Sequence, residues 1–245
     1  MDTQVRRTED STLTSIVAER LRREIISGAY APGEKLKVRD VAKRLEVGIS
    51  PVREALNRLT SDRIVVFSDH KGFAVADIGL DHLEDLVLAR CWVNEKALRE
   101  SIARGGQEWE DELVLAHHHL VKATQERDTS HSTEWELAHR RFHRALVSAC
   151  GSSWIVDACD RLFDVADLYR SVARTAPGYS REGRDKEHDR IMESALARSV
   201  DDAVELLMQH FQRTAESCKI AIQHKEATST KSKRVRRTVP ASAAI

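Results

Sequence analysis

Apolar residues recur along this chain at three- and four-residue intervals, and that period predicts helices almost throughout. Leu13, Ile16, Val17, Leu21 and Ile25 form one stripe, which predicts a helix from about Leu13 to Ser27 stopped by Gly28. AYAPGEKL (Ala29 to Leu36) follows as a turn punctuated by Pro32-Gly33. A short amphipathic helix is then expected over VRDVAKRL, with Val38, Val41, Ala42 and Leu45 inward. After a bend assigned to Gly48, another helix carries Val52, Ala55, Leu56 and Leu59 inward, with Ser50 as its N-cap and Pro51 in its first turn. Arg53 and Asn57 fall on its outer side. Only then does the period change. Ile64 to Phe67 and Phe73 to Ala76 are short β-prone runs around a polar turn, which predicts a hairpin.

Two short helices joined by a tight turn, with polar residues at the front of the second, make a helix-turn-helix, and the hairpin behind them makes it a winged helix. An isolated hairpin would be unstable unless packed on those helices. Beyond a short linker (Asp77 to Leu80), Asp81 and Glu84 suggest a capping-box start. About six helical patterns follow, with breaks near Gly105-Gly106, Arg127-Ser130, Gly151-Ser153, Thr175-Gly183 and Arg198-Val200. The longest break, TAPGYSREG, reads as a mobile loop. The fold class is therefore mainly α: an N-terminal winged helix-turn-helix over residues 11–76 and a C-terminal all-α helical bundle over 82–222. From 223 to 245 apolar residues thin out and KSKRVRR appears, which reads as a disordered basic tail with weak affinity for polyanions.

Charge sharpens this division. The formal net charge is zero, yet residues 1–76 carry 14 basic against 11 acidic side chains, residues 77–222 carry 19 against 27, and residues 223–245 carry 6 against 1. An acidic middle repels nucleic acid, so any contact with double-stranded DNA belongs to the front. There Arg39, Ser50, Arg53 and Asn57 on the motif, with Lys71 (and His70) at the wing tip, are the candidate DNA-binding residues. No apolar run is long enough for a membrane span, and the first residues lack a signal-peptide core. Four scattered cysteines without a CxxC pair fit reduced thiols in a cytoplasmic protein.

Candidate chemistry in the second domain lies where polar residues interrupt apolar stripes. Arg90 and Asn94 share the inward line of Leu83, Val87 and Ala97, and Arg170 continues that of Ile155, Cys159, Leu162 and Ala166. A buried arginine needs an anion, which is either an internal carboxylate or an organic carboxylate effector clamped by the guanidinium. His139 and His143, four residues apart, lie on one helical face, and His188 and His210 sit on the apolar lines of later helices. Four neutral imidazoles from three helices suit a divalent transition metal such as Zn²⁺ or Ni²⁺, the alternative being satisfied structural histidines. His117, His118 and His119 are neighbours that splay around a helix, so they are expected to be solvated.

The stretch GAYAPGEKLKVRDVAKRLEVGISPVREALNRL resembles the DNA-binding domain of the GntR family of bacterial transcription regulators. The resemblance implies operator contacts by Arg39 and Arg53. Where the family commonly carries a further arginine before the Ser/Thr-Pro step, this chain has Ile49. Residues 82–222 resemble the ligand-sensing FCD domain of the FadR subgroup, whose metal-binding members carry Asp-x-x-x-His and two later histidines. HRRFH, EHDRIM and MQHFQRT fill those places, with His139 standing where the pattern has Asp. ARCWVNEKALRESI, WEDEL and AHHHL are similar to a CsiR-like, glutarate-responsive branch, which implies a small dicarboxylate effector. The expectation is a cytoplasmic, homodimeric, metabolite-responsive repressor rather than an enzyme. A helical metalloenzyme built on the same histidines would need a general base, and no residue in the sequence stands out for that role. A constitutive architectural DNA binder would need neither the inward arginines nor the histidines.

Overall fold

The computed structural model describes residues 2–125, 133–174 and 184–238. The winged helix is built from α1 (Asp2–Ile26), α2 (Val38–Leu45), α3 (Ile49–Ser61), β1 (Val65–Ser68) and β2 (Gly72–Val75). Its core joins Val17, Leu21 and Ile25 of α1 to Val41 and Leu45 of α2 and to Val52, Ala55, Leu56 and Leu59 of α3. The stripe on α1 differs from the expected one in a single place. Ile16 is 59% exposed and Ala18 is buried instead, because Val17, Leu21 and Ile25 already define the inward line and Ile16 lies to its outer side.

Two local assignments change. The bend between α2 and α3 is made by Glu46, which adopts the left-handed conformation (φ 55°) as the C-cap of α2. Gly48 is extended (φ −65°) and acts as the N-cap of α3 without a side-chain bond. Ser50 therefore sits inside the first turn and is not the cap. Pro51 is tolerated there because amide hydrogens of a first turn have no intrahelical partner.

The hairpin pairs Val65 with Val75 and Phe67 with Phe73, and turns through His70 (φ 65°) and Gly72 (φ 77°). Val65, Phe73 and Val75 point into the core, whereas Val66 and Phe67 face outward. The turn before α2 adds a strand-like rung: Val75 N–H donates to Glu34 O at 2.9 Å and Leu36 N–H to Phe73 O at 2.8 Å. The wing is thereby tied to the helices.

The second domain contains α4 (Leu80–Arg104), α5 (Gln107–Gln125), α6 (Thr133–Val147), α7 (Ser153–Arg174), α8 (Arg184–Leu196) and α9 (Val200–Thr238). Gly79 is the N-cap of α4 with no side-chain cap, so Asp81 and Glu84 do not form the expected box. The helical core gathers Leu98, Leu113, Leu120, Phe142, Leu146, Ile191, Leu207 and Phe211. Cutting Phe142 or Phe211, both fully buried, to alanine would cost about 3–5 kcal/mol. Gly105 ends α4 where an added Cβ would lie 2.4 Å from the Trp109 ring, so no larger residue fits that corner.

The segment expected as a disordered tail instead continues α9 to Thr238. It holds six Lys and Arg residues, which favour a helix, has no proline between Gln223 and Pro240, and extends an already nucleated helix. Residues 239–245 lie outside the described residues, as do the expected breaks at Arg127-Ser130 and Thr175-Gly183. Among the described residues, no helix is long and apolar enough to cross a membrane.

The two domains share a seam. Leu168 of α7 is buried with the winged-helix core. Arg174, also on α7, donates from Nη2 to Ile26 O at the end of α1 (3.2 Å).

Candidate metal and effector centre

Helix α6 supplies His139 and His143, α8 supplies His188 and α9 supplies His210, and all four are buried. One ring nitrogen from each lies within 4.8 Å of the others. His139 Nε2 and His143 Nε2 are 3.0 Å apart. Zinc–nitrogen bonds of about 2.0–2.1 Å place tetrahedral ligand nitrogens about 3.3 Å from one another. The cluster thus needs only small side-chain adjustments to close on an ion.

Protonation and orientation fit the same purpose. Glu187 Oε2 accepts from His210 Nδ1 at 2.8 Å, which leaves Nε2 of that ring as the donor to a metal. Glu187 is held in turn by Arg213 Nη1 at 2.7 Å. Burial, and after it the neighbouring histidines and Arg170, push His139 well below the ordinary imidazole range; burial with His210, His188 and the two arginines does the same to His143. Burial also lowers His210 against the opposing pull of Glu187. Neutral imidazole is the ligating form. His139 Nδ1 is buried with no hydrogen-bond partner, a cost that coordination through Nδ1 itself would remove. Trp135 stacks on His139 with 4.5 Å between centroids, and Phe163 packs 5.5 Å from both His139 and His143. The donor set fits a divalent transition metal.

The two arginines behave differently. Arg170 donates from Nε to Asp167 Oδ1 at 2.9 Å and lies at ion-pair distance through Nη2 at 2.6 Å, so an internal carboxylate balances its charge even though Nη2 makes no directed hydrogen bond. Arg90, 3% exposed, makes no ion pair among the described residues, and its Nε has no partner. Its guanidinium lies 3.9 Å from the centroid of the Phe211 ring. Burial and then the Arg170 charge lower its pKa to about 9, so it stays cationic at neutral pH. Asn94, one turn on, donates from Nδ2 to Arg90 O at 2.9 Å. A narrow cleft runs past Arg90, Asn94, Arg140, His143, Cys159 and Phe163. The structure therefore brings Arg90 and Asn94 beside His143 at a narrow cleft, and gives Arg170 a partner of its own.

Several residues here were not singled out from sequence. Asp167 stands three positions before Arg170, an ion-pair spacing that was legible. Glu187 directly precedes His188, but its partner is His210 on another helix. His117 is not solvated as expected. Its Nε2 lies 2.8 Å from Asp189 Oδ1 and its ring leans on Phe142, while His118 and His119 are exposed.

On the winged helix, Arg39 on α2, Arg53 and Asn57 on α3, Ser50 in the first turn of α3 and Lys71 at the wing tip are all exposed. None of them carries part of the apolar core.

The description "Bacterial regulatory proteins, gntR family" matches residues 13–75 and "FCD domain" matches residues 85–213. The chain is 37% identical over 205 residues to the HTH-type transcriptional repressor GlaR of Escherichia coli K12, covering 81% of this chain and 93% of that one. It is 35% identical over 206 residues to the HTH-type transcriptional regulator BphR of Paraburkholderia xenovorans, covering 82% and 83%. The solved structure of E. coli McbR/YncC shares the fold, with a TM-score of 0.71 at 20% identity over 88% of this chain and 98% of that chain. GlaR and BphR are both named for transcriptional regulation. With both domains matched in order and such identity across most of two chains, the chain belongs to the GntR family and is a DNA-binding transcription regulator with an FCD domain behind its winged helix.

Proposed function

We propose that this regulator is a homodimeric repressor, working in the bacterial cytoplasm, whose hold on operator DNA is loosened by a small carboxylate bound beside a metal ion. The observation that carries the reading is the buried guanidinium of Arg90, which makes no ion pair among the described residues, next to four converging imidazoles. A buried cation without a counter-ion is unfavourable, and an incoming carboxylate removes that cost through a charge-assisted bond. His139, His143, His188 and His210 would hold the ion, which when bound supplies a Lewis-acid contact for a carboxylate oxygen. Asn94 would help orient the ligand from the next turn of α4. A relative named as a repressor, at 37% identity, supports the sign of regulation.

Dimerisation has its own support. Leu88 and Trp92 on α4 and Ile220 on α9 are exposed large apolar side chains, Trp92 at 67%. Pairing two copies would remove them from water and present two α3 helices to a pseudo-palindromic operator. Arg53 and Asn57 would read base edges from α3, Arg39 and Ser50 would support from the backbone side, and Lys71 would reach a phosphate or the minor groove. Effector and operator then compete by linkage, each lowering affinity for the other. Metal analysis of the purified protein, with operator binding measured against small dicarboxylates before and after chelation, tests the reading. Metal-free protein with full effector response would reject it.

A further inference from the structure

Asp164 of α7 is 1% exposed and lies at the seam between the domains. Its Oδ1 is paired with Arg140 of α6 and its Oδ2 with Arg22 of α1. Arg140 also reaches Oδ2 from Nη2 at 3.4 Å. Arg22 holds a second carboxylate, that of Asp62, at 2.5 Å, and Asp62 is the C-cap of α3. One line of charges thus runs from the end of the recognition helix, through α1 and α7, to α6.

Both ends of that line touch function. Arg140 follows His139 directly in the chain, and Phe163, next to Asp164, packs against His139 and His143 and under the Arg170 guanidinium at 4.5 Å. Any change in how α6 and the Phe163 ring sit around the histidines therefore moves the groups that hold Asp164. A carboxylate this deeply buried is stable only while its cations stay in place, so the seam has a strong preference for one arrangement. Beside it lies a cavity of about 340 Å³, lined by Arg22, Ile26, Glu136, Arg140 and Asp167 among others, which leaves room for α1 to shift against α6.

We propose that Asp164 is the positioning residue that relays the state of the histidine cluster to the recognition helix. The inference rests on the metal-centre reading above. Ordering of α6 by metal holds Arg140 on Asp164, Asp164 holds Arg22, and Arg22 fixes α1 together with Asp62 at the end of α3. The winged helix is thereby kept in its operator-competent place, and an effector that displaces Phe163 releases it.

Hydrogen exchange with Zn²⁺ alone as the probe tests the relay on the full chain. In wild type, Zn²⁺ slows exchange in α6 and α8, and also slows α1 and α3 by about five-fold or more, the usual reach of coupling between sites. In Asp164→Asn, Zn²⁺ still slows α6 and α8 while α1 and α3 no longer respond. Arg22→Gln cuts the same link from the better-solvated side and gives the same result, which covers the case in which Asp164→Asn does not fold. A carboxylate that merely stabilised the seam would leave the Zn²⁺ response of α1 and α3 intact. Retained response in the variants overturns the relay, as does a wild type in which only α6 and α8 respond. A wild type in which α6 and α8 ignore Zn²⁺ rejects the metal centre, and the relay with it.

Discussion

Replacing Arg90 and Arg170 by methionine separates two arginines that the apolar stripes made equivalent. Arg170 and Asp167 have side chains only 5% and 6% exposed and are paired at 2.6 Å. Removing Arg170 leaves the Asp167 carboxylate buried without its cation, and breaking such a pair typically costs about 3–5 kcal/mol. In a chain of this size each kcal/mol moves the melting temperature by about 2–4 °C, so Arg170→Met should lower it on the order of 10 °C. Replacing both partners, Asp167→Leu with Arg170→Met, should recover most of the loss, because no buried charge is then left alone. Arg90 has no such partner among the described residues, and methionine keeps much of its volume against Phe211. Arg90→Met should therefore melt within about 3 °C of wild type, a shift below what one broken bond produces. Its effect should fall on effector binding, where losing a charge-assisted bond of about 1.5–3 kcal/mol weakens affinity at least about ten-fold. Scanning calorimetry of the four proteins, with effector titrations on the folded ones, checks both halves. If Arg90→Met loses as much stability as Arg170→Met, or keeps full effector affinity, Arg90 is a structural residue and the reasoning fails.

Arg53→Ala should weaken operator binding about ten-fold while leaving fold and melting unchanged, since a bidentate base contact contributes about 1–3 kcal/mol; wild-type affinity in a gel-shift titration would remove α3 as the reader. Glu187→Gln should reduce metal affinity about 10–100-fold through the loss of the group that orients His210. Competition with a chromophoric chelator reads that change, and an unaltered affinity would leave Glu187 a surface ion-pair residue. Burial, aided by Cys150, raises the Cys159 thiol to about 12, so it stays protonated through the neutral range and gains thiolate only as pH rises towards that value. In the native protein it should resist iodoacetamide at pH 8 and react once the chain is unfolded, as peptide mapping would reveal; rapid native alkylation would contradict its buried position.

Much of this molecule was legible because period alone dictates it. The stripe of Val17, Leu21 and Ile25, the short amphipathic runs at Val38 and Val52, and the i, i+4 pair His139 and His143 are local patterns that survive folding unchanged. Local chemistry misled where two residues compete for one role: Ser50 has a capping side chain, but the chain enters α3 through Gly48, so the serine falls inside the turn. The polarity of the tail beyond Gln223 suggests disorder, although its Lys and Arg residues suit a helix growing from packed α9. Arg90 and Arg170 were indistinguishable because burial is visible in a stripe and pairing geometry is not. The seam was out of reach altogether, since Arg22 and Asp164 meet across 142 positions. Nothing in either neighbourhood announces the other.

The central claim is that occupation of the cleft beside the four histidines governs operator binding. Its most direct measurement is fluorescence anisotropy of an operator duplex selected from random DNA, bound to Zn²⁺-loaded protein and titrated with dicarboxylates of three to six carbons. At least one of them should lower operator affinity about ten-fold or more in wild type, the scale of one charge-assisted contact. The same compound should leave Arg90→Met bound to DNA. Operator affinity that stays constant across the whole series, or that falls equally in Arg90→Met, would contradict the account.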